Sequence, residues 1–179
     1  MKRILLIVAV FLICNISNVS YAFEVNGMGF SFILNDINNI KNIDCSVPEE
    51  VRVSYSGADY IRYSAADLND RKTLTEYHIP NTWNSNDGKF LDKWIFYYRS
   101  LDKHSYMNKI MPSTITDSKI LPDKNGIIII SKTFNQTVGK GMFILGDKIY
   151  VVEITSIGFP TNTKERIEKL INTIYPSAY

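Results

Sequence analysis

Cysteine is nearly absent from these 179 residues: there is one at Cys14 and one at Cys45. Cys14 lies inside an N-terminal segment that reads as a cleaved leader, so the mature chain keeps Cys45 alone and no intramolecular disulfide can staple it. The fold must then be held by its core, and residues 23–179 are enough to bury roughly 70% of the surface of the unfolded chain. Free cysteine is among the most buried residue types, so Cys45 is expected inside rather than paired with another chain.

Histidine is as scarce, with His78 and His104 only. With no HExxH, no CxxC and no acidic calcium loop, neither a metal site nor a cofactor is expected. No GxSxG marks a strained nucleophile turn, so no catalytic residue can be named. The enzyme that stays open is a small exported hydrolase in which His78 or His104 acts on a distant Ser or on Cys45. Gly139-Lys140-Gly141 lacks the spacing and the Ser or Thr of a phosphate loop, and reads as a turn.

Long hydrophobic runs are missing too. The longest, Ile4 to Ile13, is well short of the ~20 residues that a membrane-spanning helix needs. Lys2 and Arg3 precede it and Ser20-Tyr21-Ala22 follows it, which is the order of a secretory signal peptide cut between Ala22 and Phe23. A lipid anchor at Cys14 fits less well, because the bulky Ile13 precedes the thiol. Residues 1–22 are therefore expected to be removed and residues 23–179 to form one mature domain, periplasmic or secreted, without a transmembrane segment.

Cleavage also removes the excess of charge. The chain has 20 basic and 18 acidic residues, and the leader takes Lys2 and Arg3 but no acid, so the mature domain is formally neutral. A generally basic surface for nucleic acid is excluded.

What is present is strand pattern. Phe23 to Val25 and Phe30, Phe32, Leu34 flank Asn26-Gly27 as a hairpin. Val51, Val53, Tyr55 and residues 60–64 flank a second turn, and residues 142–145 and 149–155 flank Gly146-Asp147 as a third hairpin. Ile127 to Ile130 reads as a central strand. Strands are also expected over 73–79 and, from their aromatic density, over 93–99. Helices are expected over 35–44 and 103–111, and after Asn162, where Glu165 completes a capping box. In that last helix Ile167, Leu170, Ile171 and Ile174 form one apolar stripe. Short turns between successive strands imply antiparallel pairing and an α+β fold with helices packed on the sheet faces.

Aromatic residues supply the binding candidates. Trp83 lies in the polar loop 81–89, where burial is not dictated, and Tyr77 and His78 precede it. These three are the residues expected to meet a protein partner.

The strand at Thr75-Glu76-Tyr77, the segment around Trp94 and the closing Gly146-Asp147-Lys148-Ile149-Tyr150-Val151-Val152 hairpin with its amphipathic helix resemble the PsbP-like proteins, a group that includes DcrB-type envelope proteins. The resemblance spans roughly residues 25–175 and implies an antiparallel sheet between helices. It also implies a non-catalytic accessory or assembly role, and it carries no site residue across. A secreted effector or colonisation factor remains the reading that differs in destination rather than chemistry.

Overall fold

The computed structural model describes residues 23–27, 30–34, 39–56, 59–80, 89–102, 114–158 and 160–176. The expected leader, the expected helix over 103–111, and Trp83 and His104 lie outside these residues.

Among the described residues, two antiparallel sheets and three α-helices build the domain. The large sheet has seven strands: β3 (Ile40–Asp44), β4 (Glu50–Tyr55), β5 (Tyr60–Asp67), β6 (Thr114–Leu121), β7 (Gly126–Lys132), β8 (Gln136–Leu145) and β9 (Lys148–Ile157), in the order β3-β4-β5-β9-β8-β7-β6. The small sheet joins β1 (Phe23–Gly27), β2 (Phe30–Leu34) and β10 (Tyr175–Pro176), with β2 in the middle. The helices are α1 (Arg71–Glu76), α2 (Phe90–Asp102) and α3 (Thr163–Ile171). The fold is α+β, and all three expected hairpins form, with Phe23 opposite Leu34, Val53 opposite Ile61 and Leu145 opposite Lys148.

Side chains alternate along each strand, so the sheet has two distinct faces. One face carries Val51, Val53, Ile61, Tyr63, Val152 and Ile154, and is covered by the small sheet and α3. Phe32 stacks on Tyr63 with ring centroids 3.8 Å apart, while Ile167 and Ile171 of α3 reach the strands beneath. The opposite face carries Ile127, Ile129, Met142, Ile149 and Val151 beneath Phe90 and Trp94 of α2 and Tyr77 and Ile79 after α1.

Several expectations are corrected. Residues 40–44 form an edge strand, not a helix, because pairing with β4 satisfies a backbone that isoleucine spacing alone would coil. Residues 71–76 form α1, capped by Asp70, whose side chain accepts from the Lys72 amide at 2.9 Å. Residues 93–99 lie within α2, since Phe90, Trp94 and Tyr98 at four-residue spacing pack on the sheet while Phe96 is 75% exposed. Asn162 occupies the cap position of α3 without making a side-chain cap bond; at this end Thr163 Oγ1 donates to the Pro160 carbonyl. Ile127 to Ile130 is interior as expected, but the middle strand is β9.

Gly139-Lys140-Gly141 is the interior of β8 rather than a turn. A Cβ at Gly139 would lie 2.3 Å from Ile167 Cδ1, and one at Gly141 would lie 2.4 Å from Ile167 Cγ2. The two glycines form the trough in which α3 lies.

Both edges of the large sheet are irregular, with register shifts between Ile40 and Asn42 and between Ile115 and Asp117. Such bulges, with Lys41 and Lys119 on the same strands, discourage edge-to-edge association.

In the small sheet the Tyr175 hydroxyl donates to Glu24 Oε1, and this bond pushes the phenol up to about 12 from 10.0. A phenol held protonated in the fold contributes stability in full below pH 10, and loses it as pH rises from 10 to about 12. Over that interval the urea midpoint should fall further in the natural chain than in Tyr175→Phe. Equal falls would show that the contact adds nothing.

Candidate functional site

Beyond the helices, the α1–α2 face turns from apolar to charged. Residues between the core positions of five adjacent strands point to this side, and their registers align them: Asp44 of β3 opposite Arg52 of β4, Arg52 opposite Arg62 of β5, Arg62 opposite Glu153 of β9, and Glu153 opposite Lys140 of β8. Two arginines directly opposite repel. Glu50, two residues before Arg52 on the same strand face, offsets this by pairing with both, with Arg52 Nε at Oε1 and Arg62 Nη1 3.6 Å from Oε2.

Glu153 serves two cations: Arg62 Nη2 lies 3.2 Å and Lys140 Nζ 3.1 Å from its Oε2. Burial works against charge on Arg62, yet Glu153, Tyr77 and Glu50 outweigh it and its pKa rises. For Lys140 burial is again opposed, by Tyr98 and Glu153, with the same upward result. Arg62 and Lys140 thus keep their charge at neutral pH. Burial raises the phenols of Tyr60 and Tyr77, so both keep their protons beside it.

Glu50, Arg62, Lys140 and Glu153 are between 12 and 22% exposed, whereas Arg52 is 41% exposed. Arg62 Nε is buried and finds no acceptor among the described residues.

Of the residues singled out from the sequence, Tyr77 borders this row, close enough for Arg62 and Lys140 to act on its phenol. Tyr77 is buried, with Ser64 beside its phenol, and its carbonyl accepts from Trp94 Nε1 at 3.0 Å. His78 follows with φ 52°, and its ring meets Tyr98 edge-on at 4.6 Å. The charged residues themselves were missed. Their signal was the alternation Val51-Arg52-Val53, Ile61-Arg62-Tyr63 and Val152-Glu153-Ile154, a single polar residue between two core residues in each strand.

Cys45 lies apart. Half-buried, it packs against the core under the small sheet, on the face of the large sheet opposite His78, so these two do not form a nucleophile–base pair. Burial and then Asp44 raise its thiol above the usual range, which suits a protonated, unreactive side chain. Among the described residues, no three His, Cys, Asp or Glu side chains are grouped to hold a metal, and no helix is long and apolar enough to cross a membrane.

No family model and no curated protein sequence matches this chain. Solved structures do. Cyanobacterial PsbP (CyanoP) from Synechocystis sp. PCC 6803 superposes with a TM-score of 0.55 at 7% identity, covering 92% of this chain and 97% of that one. The Saccharomyces cerevisiae Ran-binding protein Mog1p gives a TM-score of 0.50 at 11% identity, over 88% of this chain and 96% of that one. A mutant of Mog1 gives 0.52 at 9% identity, over 89% and 96%. At such identities it is architecture that is shared, and by that measure this chain has a PsbP-like fold.

Proposed function

We propose that this chain is an exported, non-catalytic protein that binds a protein partner through the charged row, as an accessory factor in the cell envelope or outside the cell. The observation that carries this reading is the row itself: three cations and, with Asp44, three carboxylates fixed on five adjacent strands. Sites on strands are held more precisely than sites on loops.

Two further points support it. The leader pattern of residues 1–22 argues for export. Proteins with this fold include one described as Ran-binding, so the architecture is compatible with a protein-binding role. Trp83, Tyr77 and His78 remain the aromatic residues proposed to border the contact. The hydrolase alternative loses its Cys45–His78 combination to the sheet that separates them.

A photo-crosslinking residue at position 52, in the full chain expressed in its own cell, should capture a protein that the same probe at Lys169 on α3 does not. N-terminal sequencing of the released form should begin at Phe23, and fractionation should find it in the periplasm or the medium. A retained Met1 with a cytoplasmic location, or equal capture at both positions, would refute the proposal.

A further inference from the structure

We infer that the turn between β7 and β8 seats this protein on a lipid bilayer, with Phe134 and Ile157 entering the interfacial layer. This tip is separate from the charged row, and the inference goes beyond the protein partner proposed above.

Phe134 stands in the turn Thr133-Phe134-Asn135 and is 94% exposed, so its ring packs against almost nothing in the fold. Turns are built by residues such as Asn, Gly and Ser, and gain nothing from an aromatic ring. Ile157, the last residue of β9, pairs with Gln136 at the start of β8 and is itself 64% exposed. Three bonds fix the two segments side by side. The Thr133 amide donates to the Gln136 carbonyl at 2.9 Å, the Gly158 amide to the Asn135 carbonyl at 2.7 Å, and Thr137 Oγ1 to the Gly158 carbonyl at 2.9 Å. Phe134 and Ile157 are thus presented together on backbone that is already tied down, and little ordering remains to be done on binding.

Charge and area select the occupant. No charged residue lies between Lys132 and Lys140, or between Glu153 and Lys164, so both segments of the tip are uncharged. Of the acids that other elements bring to this end of the sheet, Asp59 is held by Arg166 and Asp117 by Lys164. Glu165 stands on the side of α3 opposite the buried Thr163 and Ile167. The tip can therefore leave water without stripping a lone charge, while Thr133, Asn135 and Gln136 beside it suit the headgroup layer. Phe134 and Ile157 present roughly 300 Å² of apolar surface, whereas each side of a stable protein interface gives about 800 Å². A second copy or a folded partner would need more than this tip offers. A bilayer takes up whatever apolar area protrudes into it.

The test uses the full chain with Phe134→Trp and vesicles of phosphatidylcholine brominated on its acyl chains, which quench an indole only inside the bilayer. The natural chain, with Trp83 and Trp94 alone, supplies the background. Emission from position 134 should fall at least twofold on brominated vesicles and not on unbrominated ones, while circular dichroism and the thermal midpoint match those of the natural chain. Adding Ile157→Ser should at least halve that quenching. Phe96→Trp, at the 75% exposed position on α2, should not be quenched. Because the readout is local, an uncleaved leader in the same bilayer does not by itself produce a difference between positions 134 and 96.

Unquenched emission from position 134, or equal quenching at position 96, would overturn the inference. So would a blue shift at position 134 that grows with protein concentration in the absence of lipid, since it would assign the tip to a second copy of the chain. Capture by the crosslinker at position 52 involves no vesicles, so the partner proposal and this one can fail separately.

Discussion

Replacing Trp94 with alanine is expected to destabilise the fold by about 3–5 kcal/mol, a large part of the 5–15 kcal/mol that holds a typical domain together. The indole is fully buried between α2 and the sheet and lies 5.6 Å from the Phe90 ring. It also does chemical work, since Nε1 donates to the Tyr77 carbonyl at 3.0 Å and so ties the end of α1 to the middle of α2. Alanine leaves a cavity over Ile127, Ile129 and Met142 and strands that carbonyl. Phenylalanine fills most of the space but lacks the N–H, so Trp94→Phe should cost about 1–2 kcal/mol. Urea unfolding of both variants separates packing from hydrogen bonding. Phe96→Ala, two residues on and largely exposed, is the comparison, and a Trp94→Ala midpoint no lower than that of Phe96→Ala would show that α2 does not pack as described.

The second large effect is at Gly141. In a strand interior, replacing glycine normally stabilises by a few tenths to 1 kcal/mol, because the unfolded chain loses freedom. Here the sign reverses. A side chain on Gly141 would start 2.4 Å from both Ile167 Cγ2 and Ile171 Cδ1. The Cδ1 atom is the far end of a flexible chain, but Cγ2 branches at the stiff first torsion of isoleucine and cannot turn aside without moving α3. Gly141→Val should therefore cost about 3 kcal/mol, with Gly141→Ala somewhat less. Truncating Ile167 to alanine reopens the space, so Gly141→Ala with Ile167→Ala should be less destabilised than the two single changes added together. Strict additivity in thermal or urea unfolding would mean that helix and trough are not in contact.

The same trough shows why some of the fold could be read from the sequence and some could not. The turn at Gly146-Asp147 joins adjacent strands, so its chemistry fixes both the strands and their register, whereas Asn26 and Gly27, expected as a turn, are the last residues of β1, paired with Ser31 and Phe30. α3 was visible because Ile167, Leu170 and Ile171 repeat at helical spacing. Gly139 and Gly141, by contrast, have meaning only once α3 lies on them, and two glycines around a lysine otherwise look like a bend.

The aromatic run from Trp94 to Tyr98 was misread for a related reason. Its strand-like composition is local, whereas the spacing that makes it a helix begins at Phe90, outside the run. Short α1 is set by the Asp70 cap and by docking, neither of which leaves a periodic trace in six residues.

The site divides along the same line. That Arg52 faces Arg62, and Lys140 faces Glu153, could be deduced from two hairpins. That these two pairs make a single row depends on β5 lying beside β9, and nothing in either strand announces a neighbour more than eighty residues away. Tyr77 was singled out for its chemistry, and it borders the row because α1 brings the chain back across this face.

The pairing of β5 with β9 also sets a schedule for the chain as it is made. A nascent polypeptide that has reached residue 147 has one hairpin in β4–β5 and another strand set in β6–β8, with nothing to join them until residues 148–157 emerge. The small sheet waits longer, since β2 meets its second neighbour only at Tyr175. At about 5–20 residues per second, the first two-thirds of the chain spends several seconds without a completed core. Contacts this distant in sequence close late even when every residue is present. The architecture therefore leaves both sheets incomplete until the last fifth of the chain has been made.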